Sequence, residues 1–250
     1  TLSSSSWNNV APGANNISSS VNEATSLTLT SIVSDPGGTV FSYQWYSDVL
    51  CNVPLGGQTG STYVPGVRNE PTVETFYYKT FDAPLPVSLS SNCATATATW
   101  LNVEPTAMNA NNSVNEGLSL TLTANATDPG NTISFTYQWY TGVSCGVEIL
   151  DETNSTYIAG VRGVPSVEDY SYYAYDAQGL VSNCATAIAS WVNIAPVASN
   201  VTGSSNENTT VALTANASDS GGDPLTYQWF GDATCTNPES GETGITYNAP

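Results

Sequence analysis

Cysteine is the residue type whose spacing in this sequence predicts a covalent bond. The 250 residues include five cysteines. Four of them form two pairs in matching sequence surroundings, Cys51 with Cys93 and Cys145 with Cys184. An even number in each repeated segment of a secreted chain predicts one disulfide bond per segment, with buried free thiols as the alternative. Zinc binding is disfavoured, because the sequence has neither CxxC spacing nor histidine.

Nucleophilic catalysis lacks its usual base, because the sequence contains no histidine. Ser–His and Cys–His systems are therefore excluded, and no glycine-rich phosphate loop occurs. A carboxylate pair of the kind that cleaves glycosidic bonds is compatible with the 21 acidic residues. These acids, however, recur at matching positions of repeated segments, as structural residues do. We therefore predict that the chain is not an enzyme.

Two of the three basic residues occupy one repeated position. Arg68 precedes Glu74 by six residues, and Arg162 precedes Glu168 by the same distance. The recurrence favours a local ion pair that holds a loop in place, with ligand binding as the alternative.

The overall charge bears on partners and location. Three basic and 21 acidic residues give a net charge of −18, which repels nucleic-acid phosphates and anionic membranes. Only 10% of the residues are charged, so Ser, Thr, Asn and Gln must cover much of the surface, as in extracellular proteins. No apolar run approaches the roughly 18 residues of a membrane span. We predict an extracellular or cell-surface location, with no nucleic-acid partner and no membrane insertion of this segment.

Repeated motifs divide the chain into units. The string YQW occurs three times, ending at Trp45, Trp139 and Trp229. Two nearly identical strings, SNCATATATW and SNCATAIASW, end at Trp100 and Trp191. One unit therefore spans about 92 residues, which is the size of an immunoglobulin-like sandwich.

The same motifs predict the domain boundaries. We expect residues 1–7 to be the last strand of a preceding repeat, 8–100 and 101–191 to be complete repeats, and 192–250 to be a truncated third repeat. Cys235 lies where the first cysteine of each complete repeat lies, so we expect its partner beyond the C-terminal residue. Continuation of the polypeptide on both sides is the favoured interpretation. Completion of the open repeats by strands of another copy is the alternative.

Within each unit, apolar and polar residues alternate with the two-residue period of β-strands. Leu27 and Leu29 fall on one side of an early run, and Phe41, Tyr43 and Trp45 on one side of the next, with a copy of that strand at each YQW motif. Glycine and proline interrupt these runs at short intervals, and no stretch has a helical period. The predicted fold is all-β, with tandem immunoglobulin-like β-sandwiches in an extended array and a core of Leu and Trp.

The segment from Val114 to Trp139 contains VNEG, LTLTANATDPGN and FTYQWY. It resembles the tandem Ig-like, PKD-like and cadherin-like repeats of very large secreted bacterial and archaeal surface proteins. The second half of each unit, with YQWY, a cysteine, GSTY, FYY and SNC, resembles bacterial Ig-like modules of cell-surface and gliding-associated proteins. The resemblance covers the whole chain and implies a stalk, an adhesin or a filament subunit.

This resemblance also implies a calcium site, the single cofactor expected. In cadherin-like repeats, calcium lies where one repeat meets the next, bound by an early Glu, a turn Asp, an Asp near a strand end and an Asn or Asp in the linker. Oxygen ligands of this kind suit calcium, which takes six to eight of them. Ordinary turn formation by Asp-Pro-Gly is the alternative. The matching residues are Glu116, Asp128, Asp176 and Asn193, with Glu23, Asp35, Asp82 and Asn102 as their copies.

Seven Asn-x-Ser/Thr sequons are compatible with a glycosylated surface protein. Chance occurrence in an Asn-, Ser- and Thr-rich chain is the alternative. The candidate residues are Asn16, Asn111, Asn125, Asn154, Asn200, Asn208 and Asn216.

Taken together, these patterns predict a non-enzymatic structural repeat region of an extracellular filament or of a cell-surface stalk or adhesin. Its partners would be further repeats of the same chain or identical subunits, and possible ligands are surface glycans. The alternative is a secreted array of carbohydrate- or ligand-binding Ig-like modules. Sugars would then stack on exposed aromatic side chains such as Tyr46, Tyr140 and Phe230, or Tyr77 and Tyr173.

Overall fold

The computed structural model describes residues 8–37, 40–82, 88–130 and 134–250, so the strand predicted at residues 1–7 lies outside the described residues. Nothing in these ranges forms a helix of the length and hydropathy needed to cross a membrane. The chain forms two compact units. The first contains the residues up to Thr106 together with 127–135 and 175–182, and the second contains 107–126, 136–174 and 183–250.

The first repeat is built from short strands separated by turns. In chain order they are β1 (Gly13–Ala14), β2 (Ile17–Asn22), β3 (Ser26–Thr30), β4 (Val33–Ser34), β5 (Phe41–Tyr46), β6 (Thr62–Val67), β7 (Thr72–Asp82) and β8 (Ala94–Leu101). One sheet has the order β2–β8–β7–β5, in which β2 runs parallel to β8 and the other neighbours are antiparallel. The second sheet pairs β3 with β6, and β1 pairs with β4.

The core of the first repeat consists of the residues that the strand period places inward. Leu27 and Leu29 of β3 are fully buried, as are Trp45 of β5 and Tyr78 of β7, and Trp100 of β8 is 1% exposed. Each such side chain contributes roughly 1.5–3 kcal/mol by leaving water. The predicted core of Leu and Trp is confirmed.

The second repeat follows the same plan. Its strands are β9 (Thr106–Met108), β10 (Asn112–Asn115), β11 (Ser119–Thr123), β12 (Asn125–Thr127), β13 (Thr136–Thr141), β14 (Val147–Glu148), β15 (Thr156–Val161), β16 (Ser166–Tyr175) and β17 (Ala185–Val192). One sheet has the order β10–β17–β16–β13–β14, β11 pairs with β15, and β9 pairs with β12. Leu120, Leu122, Trp139 and Tyr172 are fully buried, and Trp191 is 2% exposed.

The described part of the third repeat has two strand pairs. Its strands are β18 (Val197–Ser199), β19 (Val211–Thr214), β20 (Asn216–Ser218) and β21 (Thr246–Ala249), with β18 paired to β20 and β19 to β21. The third YQW motif, which ends at Trp229, was expected to form a strand and does not. In the first two repeats this motif pairs with β7 or β16, and the described third repeat has no such strand to supply its hydrogen bonds.

Disulfide bonds join Cys51 to Cys93 and Cys145 to Cys184, the two pairs that the sequence predicts. Their Cα atoms lie 5.9 and 6.1 Å apart, and the paired residues are separated by 42 and 39 positions. Each bond ties the segment after the YQW strand to the residue before the closing strand, β8 or β17. Loops of this length correspond to about 4 kcal/mol in the chain-entropy model. Cys235 is exposed and has a free thiol.

Candidate cation sites at the acidic turns

Each candidate site contains an aspartate in a tight turn. Asp35, Asp128 and Asp219 accept a hydrogen bond through Oδ1 from the N–H of the glycine two residues later, at 2.8, 2.7 and 2.8 Å. Aspartate forms such turns locally, because its side chain reaches the backbone two residues on. Oδ2 of Asp35 and Oδ2 of Asp128 are buried and have no hydrogen-bond partner. In each of these two carboxylates, the turn therefore provides a hydrogen bond for one oxygen and leaves the other oxygen without a partner.

A buried glutamate lies at the end of each edge strand. Glu23 follows β2 and is 2% exposed, while Glu116 follows β10 and is fully buried. The backbone N–H of each donates to a carbonyl at the end of the closing strand, β8 or β17, at 2.9 and 3.0 Å. Each Oε1 accepts a bond from the linker, from the N–H of Val103 and of Ile194, at 2.8 Å in both cases. Glu116 Oε2 is buried and has no partner.

Two glycines allow the turns to approach these glutamates. A Cβ at Gly130 would lie 2.4 Å from Glu23 Oε2, and a Cβ at Gly221 would lie 2.5 Å from Glu116 Cδ. Such distances are too short for any Cβ, so each position accepts only glycine unless the glutamate moves. The glutamate of one repeat therefore lies against the aspartate turn of the next.

The first site is completed by an asparagine and a second aspartate. Asn102 Nδ2 donates to Asp176 Oδ2 at 2.7 Å. Asp176 is 5% exposed, and its Oδ1 accepts bonds from the N–H groups of Gln178 and Leu180 at 2.9 and 2.8 Å. Asn102 Oδ1 is buried without a partner. The residues brought together in the first unit are Glu23, Asn102, Asp128 and Asp176.

The second site lies in the second unit and has three carboxylates. Glu116, Asp219 and Asp223 each offer one oxygen, and these oxygens lie within 4.8 Å of one another. With its side-chain amide oriented to donate, Asn193 lies 2.9 Å from Glu116 Oε1 and 3.2 Å from Asp223 Oδ2. Three carboxylates and one amide thus lie close together.

A related pair without a glutamate lies in the first repeat. Asn9 Nδ2 donates to Asp82 Oδ2 at 2.6 Å, as Asn102 does to its aspartate. Asp82 is 5% exposed, and its Oδ1 accepts the N–H of Leu89 at 2.7 Å. Asn9 and Asp82 therefore repeat the hydrogen bond between Asn102 and Asp176 of the first site.

Burial and neighbouring carboxylates both disfavour the charge of Glu23 at the first site. Burial raises the pKa of Glu23 above its ordinary value, and the carboxylates of Asp128, Asp176 and Glu70 raise it further. The hydrogen bond from the Val103 N–H acts in the opposite direction. The ionised form of Glu23 is therefore disfavoured in the absence of a compensating positive charge.

The donor atoms suit a hard divalent cation. They are carboxylate oxygens, joined at the first site by the unpartnered amide oxygen of Asn102, without the sulfur or imidazole nitrogen that zinc prefers. A buried polar atom without a partner costs about 1–3 kcal/mol, and Glu116, Asp128 and Asn102 each present one. A cation at each site would satisfy these atoms and offset the repulsion between the carboxylates.

Seven of the eight residues predicted as ligands lie in these three sets, and the structure groups them differently from their order in the chain. Glu23 lies with Asp128 and Asp176 of the following repeat, as the pKa effects on Glu23 also show. Asp82, which shares the repeat of Glu23, pairs with Asn9, and Asp35 lies in its own Asp-Pro-Gly turn.

Sequence reasoning missed Asn9, Asp219 and Asp223. Asn9 stands in WNNVAP, and its equivalence to Asn102 in WLNVEP was readable from the linker repeat. Asp219 begins Asp-Ser-Gly rather than Asp-Pro-Gly, so alignment on the glycine would have found it. Asp223 has no counterpart in the other two turns, and nothing in the repeat pattern singles it out.

The predicted ion pairs are present and have a further partner. Arg162 donates to both oxygens of Glu168 at 2.6 and 2.8 Å, and Arg68 donates to both oxygens of Glu74 at 2.6 and 2.9 Å. The Arg162 guanidinium carbon lies 5.0 Å from the ring centroid of Trp191, and the first repeat has the same stacking at 5.1 Å. This stacking on the core tryptophan was not predicted. It supports a structural role for the arginines.

The aromatic residues considered for sugar stacking are less exposed than expected. Tyr46 is 9% exposed, and Tyr77, Tyr140, Tyr173 and Phe230 are partly buried. Tyr140 packs edge-on against Tyr173, with ring centroids 5.6 Å apart. The expectation of exposure is wrong for Tyr46, because its position at the end of β5 packs it into the molecule.

The strands and sheets define the class. The chain is an all-β protein of tandem immunoglobulin-like β-sandwiches. No protein-family model matches its sequence, and a search of curated proteins finds no relative.

Comparisons with solved structures return other tandem β-domains. Domains A168–A170 of titin align with a TM-score of 0.41 and 13% identity, over 96% of this chain and 87% of that chain. Drosophila N-cadherin EC1–4 aligns with a TM-score of 0.32 and 13% identity, over 96% and 66%. Fibronectin(III)-like modules of Clostridium thermocellum CbhA align with a TM-score of 0.27 and 13% identity, over 73% and 90%. Scores this low carry no argument about function.

Proposed function

We propose that this chain is a non-enzymatic structural region of an extracellular filament or of a cell-surface stalk or adhesin, in which Ca²⁺ stabilises the connection between successive repeats. The proposal rests on the surroundings of Glu116. Its side chain is fully buried, its Oε2 has no hydrogen-bond partner, and its carboxylate lies close to those of Asp219 and Asp223. A similar arrangement at Glu23 supports the proposal that the feature recurs along the repeats. The partners in this proposal are further repeats of the same chain or identical subunits.

The residues of the second site would have different roles in binding a cation. Glu116 is tied to the closing strand through its backbone N–H and to the linker through Oε1. Asp219 and Asp223 belong to the repeat that follows. A cation bound by all three would therefore link the end of one repeat to the start of the next. The chemistry it supplies is charge neutralisation and coordination by oxygen, with no reaction.

Thermal unfolding with and without calcium tests this proposal. At a calcium concentration 100 times the Kd, one site adds about 2.7 kcal/mol to the stability of the folded state. For a chain of this size, that raises the Tm by roughly 2–4 °C per kcal/mol. Chelation with EDTA should remove the increase and, by small-angle scattering, shorten the mean distance between the ends of the chain.

A matched pair of variants assigns the effect to the site. Glu116→Gln keeps the shape of the side chain but removes its charge, so the calcium-dependent rise in Tm should shrink. Glu148→Gln removes an exposed charge in β14 and should leave the rise unchanged. If neither the Tm nor the end-to-end distance responds to EDTA in the unsubstituted protein, the calcium proposal is wrong.

A further inference from the structure

In two of the sheets, one edge strand lacks the features that usually prevent pairing with a strand of another molecule. β2 and β10 are terminal in their sheets, and in the described ranges no strand pairs with their outer sides. Natural proteins protect such edges with charged residues, especially lysine, with proline or with a covering segment. β2 reads ISSSVN and β10 reads NSVN, so neither has a charge or a proline. The single lysine, Lys79, lies in β7, between two other strands.

An exposed asparagine precedes each of these edge strands directly. Asn16 precedes β2, and its Oδ1 accepts the N–H of Thr95 in β8 at 2.9 Å. Asn111 precedes β10, and its Oδ1 accepts the N–H of Ile188 in β17 at 3.1 Å. These bonds hold the side-chain carbonyl of each asparagine against the neighbouring strand. The Nδ2 atoms donate no hydrogen bond within the described structure, and both side chains are exposed.

The asparagines of the other sequons share this free amide nitrogen. The asparagines of all seven sequons are exposed, and among the described hydrogen bonds none of them donates through Nδ2. Asparagines that do donate through Nδ2 include Asn9, Asn92, Asn102, Asn112 and Asn183. None of these five begins a sequon. The amide nitrogen of each sequon asparagine is therefore accessible for reaction, and none of the asparagines held through Nδ2 lies at a sequon.

We propose that Asn16 and Asn111 carry N-linked glycans that cover the open edges of β2 and β10. The co-reactant is a glycosyl pyrophosphate donor. Nδ2 forms a bond to the anomeric carbon, the bond from that carbon to the pyrophosphate oxygen breaks with its electron pair, and one Nδ2 proton leaves to a base. Oδ1 keeps its lone pairs in the product, so the hydrogen bonds from Thr95 and Ile188 remain.

A groove beside Asn16 offers a place for the first sugar. The groove has a volume of about 320 Å³ and lies between β2 and β3, with Ser18, Thr28 and Thr30 among its lining residues. Ile32, which is 53% exposed, also lines it. Hydroxyl groups of a sugar would bond to the Ser and Thr side chains, while its apolar face would cover Ile32. A glycan lying there would block another strand from pairing with β2.

Mass spectrometry of the protein from its natural producer tests the modification. Release of N-glycans by an amidase in H₂¹⁸O converts each glycosylated asparagine to an ¹⁸O-labelled aspartate. The label is expected at positions 16 and 111. Unmodified asparagine at both positions in the native protein would overturn the proposal.

Variants produced in the same organism test the role of the glycans. Ser18→Ala and Ser113→Ala together destroy both sequons but leave Asn16 and Asn111 with their Oδ1 hydrogen bonds. Thr210→Ala destroys the sequon of Asn208, which lies outside the strands, and serves as the matched control. Sedimentation velocity should show a loss of monomer for the double variant, at unchanged Tm, and no loss for the control. Equal sedimentation of all three proteins would refute the edge-covering role.

Discussion

Replacement of Gly221 by alanine tests the packing of the second cation site without removing a ligand. A Cβ at this position would lie 2.5 Å from Glu116 Cδ and 2.6 Å from its Cγ. Gly221 does not have a positive φ, whereas the neighbouring Gly222 has a φ of 86°. Alanine at position 221 is therefore disfavoured by its contact with Glu116 and not by the backbone conformation. Since Glu116 is fully buried, its side chain cannot move aside into solvent.

The expected cost follows from the size of the overlap. Overpacking by one methyl group in a closed site costs typically about 1–3 kcal/mol. Because the variant displaces Glu116, we expect Gly221→Ala to lose stability by this amount and also to lose most of the calcium-dependent increase in stability. Urea denaturation followed by tryptophan fluorescence, with and without calcium, measures both effects.

Two other glycines serve as controls for this measurement. A Cβ at Gly56 meets nothing within 4 Å, so Gly56→Ala should change the free energy of unfolding by no more than about 0.5 kcal/mol. Gly222 is also open, but its left-handed backbone should make Gly222→Ala cost about 1 kcal/mol while leaving the calcium response intact. A Gly221→Ala protein that matches Gly56→Ala in both stability and calcium response would refute the described packing of Glu116.

Two further predictions concern single groups in the sandwiches. The hydrogen bonds from Arg162 and Tyr170 hold the pKa of Glu168 below its ordinary value, so the stability that Glu168 contributes is present above pH 4.5 and is lost as the pH falls through its lowered pKa. A pH series of urea denaturation should show a shallower acid-side decline for Glu168→Gln than for the unsubstituted protein, and identical slopes would contradict this. Thr80 Oγ1 is buried without a partner, and the second repeat has Ala174 at the equivalent position. Thr80→Val should therefore raise the free energy of unfolding by about 1 kcal/mol, and a loss of stability would show that the hydroxyl has an unrecognised partner.

The core was readable from the sequence because it depends on local periodicity. The alternation in β3 and β5 predicted that Leu27, Leu29 and Trp45 face inward, and all three are fully buried. The disulfide pairs were readable for a similar reason, since the repeats limit the choice of partners. The third YQW strand could not be predicted correctly, because a strand needs a hydrogen-bonded neighbour and the pattern within one segment says nothing about it.

The grouping of the cation ligands is a property of the tertiary structure. Glu23 and Asp128 are far apart in the sequence, and only the path of β8 and the linker brings the Glu23 carboxylate to that turn. A repeat pattern identifies equivalent residues but does not say which copy of one position meets which copy of another. The stacking of Arg162 on Trp191 was inaccessible for the same reason, since it joins the residue after β15 to a residue of β17.

Charge provides the strongest reason to expect cations at these sites. The chain has 21 acidic residues and only three basic ones. Arg68 and Arg162 are already bound to Glu74 and Glu168, which leaves Lys79 as the one basic side chain outside these pairs. One lysine cannot neutralise carboxylate clusters in two separate units. We therefore expect the ionised clusters to attract cations from solvent, because buried oxygens without protein partners offer them direct coordination.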